Sequence, residues 1–403
     1  MNSIYRERRE KLLKDKKTPY FAVFYGVNNP DLPLPFDRNF YYFTGLKNVT
    51  QVLVIKKDEN GIHDKLYIET YNDRFVKFNG GFFSIEDARN ATGIEDVVFN
   101  ENFEEEFVEE LKKYDYVTVG LDIVEKDGVV AANEELLAAL MDNGIKTESL
   151  WYEIAALRLV KSEMEIENFR IANRDTLHAL KTMMRAAHPG VFEKELEYEF
   201  YLDLAKQHVT EKAFDMACAG GARATTLHYH NNNQIVNDGE MVLVDLGSAK
   251  DYYGADISRT FPVNGKFTKR QKEVYDVVLG AQNLALKMAR PGISVLELND
   301  YVVKYYEQEL PKIGLCTDGV HTVKDYYYHS VSHSIGLECH DIHDRNSKMV
   351  PGMIISNEPG LYIAEEGIGI RLEDDLLITE DGAINLSADF PHTTEEVEEI
   401  MKH

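Results

Sequence analysis

Asn237-Asp-Gly-Glu-Met-Val-Leu-Val-Asp-Leu-Gly247 and Val350-Pro-Gly-Met-Ile-Ile-Ser-Asn-Glu-Pro-Gly360 are two versions of one phrase, and their likeness sets the expected fold. In each, a turn glycine stands six residues before an acid (Gly239 to Asp245, Gly352 to Glu358), and the acid ends an apolar, strand-like run. A second acid follows, Asp256 eleven residues after Asp245 and Glu373 fifteen after Glu358. A strand, a turn and a returning strand bring the two acids of each stretch together. Upstream, a helical pattern breaks at Pro189-Gly190 and again at Pro291-Gly292, 102 residues apart (189 to 291), and each break precedes another amphipathic helix. The spacing predicts two pseudo-symmetric halves that face each other and carry four carboxylates into one cleft. A single Asp in an acidic chain is as often a surface charge, so the matched pattern carries this reading. Acids at the ends of apolar strands are costly to bury unless cations or donors compensate them.

The chain has 403 residues, enough for two or three domains, and 44% hydrophobic content, enough to fill real cores. Its formal charge of −25 opposes binding to phosphate backbones and anionic lipid, so no nucleic acid and no membrane partner is expected. Cys218, Cys316 and Cys339 form no CxxC pair and cannot all pair with one another, which excludes a disulfide framework and favours a reducing compartment. The charged opening MNSIYRERREKLLKDKK is no signal peptide, and no run approaches a membrane span. The expected location is the cytoplasm.

Residues 1–155 read as a small α/β domain, with strand-like runs at 20–27, 51–56, 65–69 and 116–121, a turn at Asp58 to Gly61 and a helix from Phe103 to Lys113. No catalytic constellation falls there. From about 156 to 403 the texture changes to long amphipathic helices. Ser162 with Glu165, Thr268 with Gln271, and Ser294 with Glu297 match the capping box of a helix start. The fold class is therefore α/β (α+β), a small α/β domain followed by a pseudo-symmetric domain.

The chemistry concentrates in His329-Ser-Val-Ser-His333-Ser-Ile-Gly336-Leu-Glu-Cys-His340-Asp341, the densest histidine segment. Neutral imidazole with four hard carboxylates makes a mixed nitrogen and oxygen set that suits manganese, with cobalt, iron or zinc in competition. Two such ions sharing a water serve amide hydrolysis. HExxH, GxSxG, GxxxxGK[ST] and GxGxxG are absent, which removes the strongest cues for single-zinc proteases, serine hydrolases and nucleotide folds. On its own, His228 after Leu227 reads more often as a structural histidine. Arg371 reads equally as a charge partner of Glu373 two residues on. Tyr326, Tyr327 and Tyr328 read as wall or core.

LHY at 227–229, VLVDLG at 242–247, YGADISRTFPVNGKFT at 253–268, HSVSHSIGLECHD at 329–341, NEPGLYI at 357–363 and GIGIRLEDDLLIT at 367–379 jointly resemble the pita-bread metallopeptidases, in the group of Xaa-Pro aminopeptidases and prolidases. FYYFTGL at 40–46 extends a weaker match into the first domain. The resemblance implies a dinuclear-metal exopeptidase that removes the residue before a proline in second position. Xaa-Pro dipeptides are the alternative substrate, and a metal-free enzyme of the creatinase type or a non-catalytic binding module on the same fold is the weaker reading. It implies that Asp245 holds one ion, that His333 and Glu358 hold the other, and that Asp256 and Glu373 bridge them. His228 and His340 would contact substrate and move protons, His329 and Arg371 would line the site, and Glu358 would accept the nucleophile's proton. The first domain would supply site walls and contacts within a homodimer or homotetramer. Two departures stand out: His230 and three asparagines follow LHY, and LECHD replaces the commoner LDVHD. Trp151, the single tryptophan, lies between the domains and offers no tryptophan wall to the site.

Overall fold

The computed structural model describes residues 2–26, 36–47, 51–79, 83–126, 129–131 and 133–402. The chain divides into two compact units, Met1–Leu157 and Arg158–His403. The first is built on a mixed six-stranded sheet in the order Asp96–Asn100, Gly61–Glu69, Gln51–Asp58, Tyr20–Gly26, Thr118–Leu121, Lys146–Ser149. The strand read at 20–27 runs to Gly26, and residue 27 lies outside the described residues. The 51–58 and 61–69 strands are longer than the sequence runs suggest, because they pair antiparallel up to a two-residue turn where the Asn60 amide donates to Asp58 Oδ1 at 2.8 Å. Phe103, Phe107, Val108 and Leu111 bury one face of the helix Phe103–Leu111, which ends two residues before the expected Lys113.

In the second unit, helices α1 (Glu163–Ala186) and α2 (Glu193–Lys206) precede strands β1 (Ala217–Gly220), β2 (Met241–Leu246) and β3 (Ile257–Pro262). Helices α3 (Lys269–Met288) and α4 (Val295–Glu309) then precede β4 (Ile354–Asn357), β5 (Gly360–Ile363), β6 (Ile368–Arg371), β7 (Asp374–Ile378) and β8 (Ala383–Asn385). The sheets run β3-β2-β1 and β4-β7-β8, with β5 and β6 paired between β4 and β7 in the chain. The three expected capping boxes all form. The backbone N–H groups of Ser162, Thr268 and Ser294 each donate to a side-chain oxygen three residues on, at 2.7, 2.8 and 2.7 Å.

The expected repeat is present down to single hydrogen bonds. Gly190 N–H donates to the Val236 carbonyl at 2.8 Å, and Val236 N–H donates back to Val191 at 2.9 Å. Gly292 and Met349 exchange the corresponding bonds, at 3.0 Å and, through Ile293, 2.7 Å. Gly190 and Gly292 adopt φ of +89° and +88°, the left-handed region that favours glycine. Ile166, Phe169, Thr176, Leu180, Met183 and Met184 face the core from α1, as their spacing requires.

Candidate active site

Asp245 sits in β2 directly opposite Ser258 on β3, and Asp256 immediately precedes β3. Glu358 follows β4 and Glu373 precedes β7, one step beyond the last paired residues Asn357 and Asp374. Both returning strands thus deliver the second acid beside the first. His333 is brought over them by the segment between α4 and β4, whose Ser334 bridges Ile355 and whose His333 carbonyl accepts from the Ser356 amide at 2.9 Å. All nine residues named from the sequence, His228, Asp245, Asp256, His329, His333, His340, Glu358, Arg371 and Glu373, line one cavity of about 460 Å³.

Within it, His333 Nε2 lies 3.4 Å from Asp256 Oδ2 and 3.3 Å from Glu358 Oε1, while its Nδ1 faces the Ser334 carbonyl at 3.2 Å. A proton on Nδ1 leaves Nε2 aimed at the carboxylates, the tautomer a metal ligand needs. Ligand atoms of Asp256, His333 and Glu373 lie within 4.8 Å of one another. Arg371 donates from Nη2 to Asp245 Oδ2 at 2.6 Å and from Nε to Ser258 Oγ at 2.8 Å, and Ser258 Oγ donates on to Glu373 Oε2 at 2.7 Å. The other oxygen of Asp245, Oδ1, is buried and has no hydrogen-bond partner. A lone buried carboxylate oxygen beside three more acids is costly, and a cation satisfies it.

The electrostatics of the protein alone express the same strain. Burial, then repulsion by Asp256, Glu358 and Asp245, pushes Glu373 well above the usual carboxylate range. Burial raises Glu358 to about 7 against the pull of His333 and Arg371. His333 is opposed by burial, but Asp256 and Glu358 outweigh it and lift the imidazole to about 9. His329 is pushed down to about 3 by burial and by Arg371. It therefore stays neutral, with Nε2 2.8 Å from the Tyr362 hydroxyl and Nδ1 2.8 Å from the Ser330 carbonyl.

Three contributors carried no assigned role in the sequence. Tyr362 receives Arg371 Nη1 at 3.3 Å and passes a hydrogen bond to His329, and Ser258 couples Arg371 to Glu373. Both lie inside the quoted motifs, but nothing in residue type or spacing separates them from packing. Cys339, part of the LECHD departure and read from the sequence as dispensable for metal binding, donates from Sγ to Asp256 Oδ2 at 3.1 Å. Behind the site, Asp341 is clamped by Arg158 and by Lys161 at 3.4 Å, both buried. Gly336 makes room for that clamp, since a Cβ there would meet Asp341 Oδ2 at 1.7 Å. Of the three tyrosines, Tyr326 and Tyr327 are buried and Tyr328 is half exposed.

Two mirrored strand pairs gathering four acids and a histidine around a shared cavity define a metallohydrolase of pita-bread architecture. Residues 167–380 match metallopeptidase family M24, and residues 5–119 match the N-terminal domain of aminopeptidase P. An Escherichia coli Xaa-Pro aminopeptidase is 31% identical over 98% of this chain and 97% of its own length. Human Xaa-Pro aminopeptidase 3 is 30% identical over 93% of this chain and 78% of its own. Zinc-substituted Escherichia coli aminopeptidase P in complex with product superposes with a TM-score of 0.88 at 28% identity, over 100% of this chain and 98% of the other. Proline aminopeptidase P II from Yersinia pestis gives 0.87 at 29% identity, over 100% and 99%. The chain belongs to metallopeptidase family M24, in its Xaa-Pro aminopeptidase group.

Proposed function

We propose that this metallo-exopeptidase removes the N-terminal residue from peptides with proline second, and that Asp245, Asp256, His333, Glu358 and Glu373 hold two divalent ions. The observation that carries the metal assignment is the convergence of all five on one cavity, with Asp245 Oδ1 buried and unsatisfied. Bound there, the ions would lower the pKa of a shared water and polarise the scissile carbonyl. Glu358 accepts the proton of the nucleophile. His340 and His228, both lining the cavity, donate to the carbonyl side of the substrate and stabilise the charge that develops there. Arg371 orients Asp245 and partly offsets the burial that raises its proton affinity, and His329 with Tyr362 forms a wall.

The carboxylate-rich set supports manganese, with cobalt, iron or zinc in competition. Similarity running through the N-terminal domain supports the aminopeptidase over the Xaa-Pro dipeptidase. Among the described residues no helix is long and apolar enough to cross a membrane. Together with the cysteine usage and the family resemblance, the proposed setting is a homodimer or homotetramer in the cytoplasm.

Hydrolysis of Xaa-Pro and Xaa-Pro-Yaa peptides is compared with manganese present. Faster release from the longer peptides is expected, exclusive cleavage of dipeptides selects the prolidase reading, and cleavage of neither by metal-loaded protein selects a binding module. Chelation should abolish turnover, and full turnover without residual metal by elemental analysis rejects the dinuclear assignment.

A further inference from the structure

Cys339 is not packed as a core thiol. It lines the cavity, and its sulfur faces a carboxylate and two imidazoles. One ligand atom each from His333, Cys339 and His340 lies within 4.8 Å of the others, and the group formed by Asp256, His333 and Glu373 shares His333 with them. The sulfur therefore sits at the His333 end of the acid cluster. The Cys339 thiol donates to Asp256 Oδ2 at 3.1 Å, a separation that two neighbouring ligands of one ion would also span. With metal–sulfur near roughly 2.3 Å and metal–oxygen near about 2.1 Å, it subtends an angle of about 90° at the ion. The 3.4 Å from His333 Nε2 to the same oxygen subtends about 110° on the same arithmetic.

We infer that Cys339 is a sulfur ligand of the ion held by Asp256 and His333, which makes this end of the centre softer than the Asp245 end. As the metal–sulfur bond forms, the thiol proton leaves to solvent. His340, the exposed member of the group, keeps its place toward substrate. Thiolate selects borderline-soft cations, so the His333 position takes zinc, cobalt or ferrous iron in preference to manganese, and the Asp245 position keeps the harder ion. Cys218 is fully buried in the hydrophobic core, and Cys316 lies outside the cavity. Neither supplies a competing thiolate to it.

This inference rests on the dinuclear reading, and the test separates the two. Metal-free protein is titrated with cobalt(II) under argon and followed optically, as wild type, Cys339→Ser and Cys339→Val, with circular dichroism as a folding control. Visible d–d bands in all three, with an intense near-ultraviolet sulfur-to-cobalt band in the wild type only, are expected. Zinc-to-manganese preference in competition should also fall about tenfold in Cys339→Val. Wild-type d–d bands with no sulfur band overturn the Cys339 assignment and leave the metal centre standing. A sulfur band that persists in both variants also overturns it. Absence of d–d bands at stoichiometric cobalt defeats the metal centre itself. Should the variants misfold, the cadmium-113 resonance of the wild type decides alone: a shift in the range of oxygen and nitrogen ligands overturns the proposal, and a strongly deshielded, thiolate-type shift supports it.

Discussion

The two halves of the second unit share a scaffold and differ in what they hang on it. In each, a helix pair broken at a left-handed glycine leads through a crossover segment to a strand that ends in an acid, and a returning strand brings the second acid back. The crossover between α2 and β2 supplies His228 and His230 to the cavity, and the longer one between α4 and β4 supplies His329, His333, Cys339 and His340. The third strand also differs. β1 pairs with β2 in the first half, whereas β8 pairs with β7 in the second. Symmetry thus sets the four carboxylates, and asymmetry of the crossovers sets which imidazoles and which thiol reach the cavity. Both halves can keep the same hydrogen-bonded scaffold because backbone pairing is indifferent to side chains, and their loops are free to carry the chemistry.

The hardest way to break this comparison is to remove a shared element of the centre. Asp256→Asn and Glu373→Gln, one returning acid from each half, should each empty the site by elemental analysis. Each should cost more activity than the roughly 10–100-fold typical of a hydrogen-bond partner to a metal ligand. Near-normal metal content and turnover in either would remove that residue from the ligand set. Next come the crossover histidines. His340→Ala should lower kcat by about 10²–10³ with metal retained, the usual loss for one donor to a developing oxyanion. Metal loss in parallel with activity would instead make His340 a ligand.

Ser258→Ala tests a contact that only the folded chain creates. It breaks the relay from Arg371 to Glu373, so metal affinity in isothermal titration should fall roughly 10–100-fold, and an unchanged affinity would reduce Ser258 to packing. The smallest effect sharpens the symmetry itself. Gly190→Ala and Gly292→Ala meet no atom within 4 Å, so only the left-handed backbone resists. Each should lower the free energy of urea unfolding by about 1–2 kcal/mol, and equally. A cost in one half alone would show that the paired anchors are not equivalent.

Much of this was legible without coordinates. The repeated glycine, apolar run and acid placed both strand pairs, because a two-residue side-chain period and a turn glycine are local instructions that tertiary packing had no reason to override. The capping boxes marked three helix starts for the same reason. The reading of His228 and Arg371 stayed divided between structural and chemical roles. Residue type alone does not tell whether an imidazole faces a core or a cavity, or whether a guanidinium meets a ligand or a substrate. The fold narrows the choice, since His228 lines the cavity and Arg371 is bonded to Asp245, Ser258 and Tyr362.

The sequence by itself determined the acid pairs and the histidine-rich crossover, which depend on spacing within a few residues to a few tens, and the doubled scaffold, which shows as those same local patterns recurring about a hundred residues on. Only the tertiary structure decided which partners meet across long separations: Arg371 with Asp245, Ser258 with Glu373, Cys339 with Asp256, and the clamp of Arg158 and Lys161 on Asp341. These contacts span from 83 to 183 residues in the chain. No local periodicity encodes such a meeting; it follows from burying both halves against one core, which leaves their polar groups only one another to satisfy.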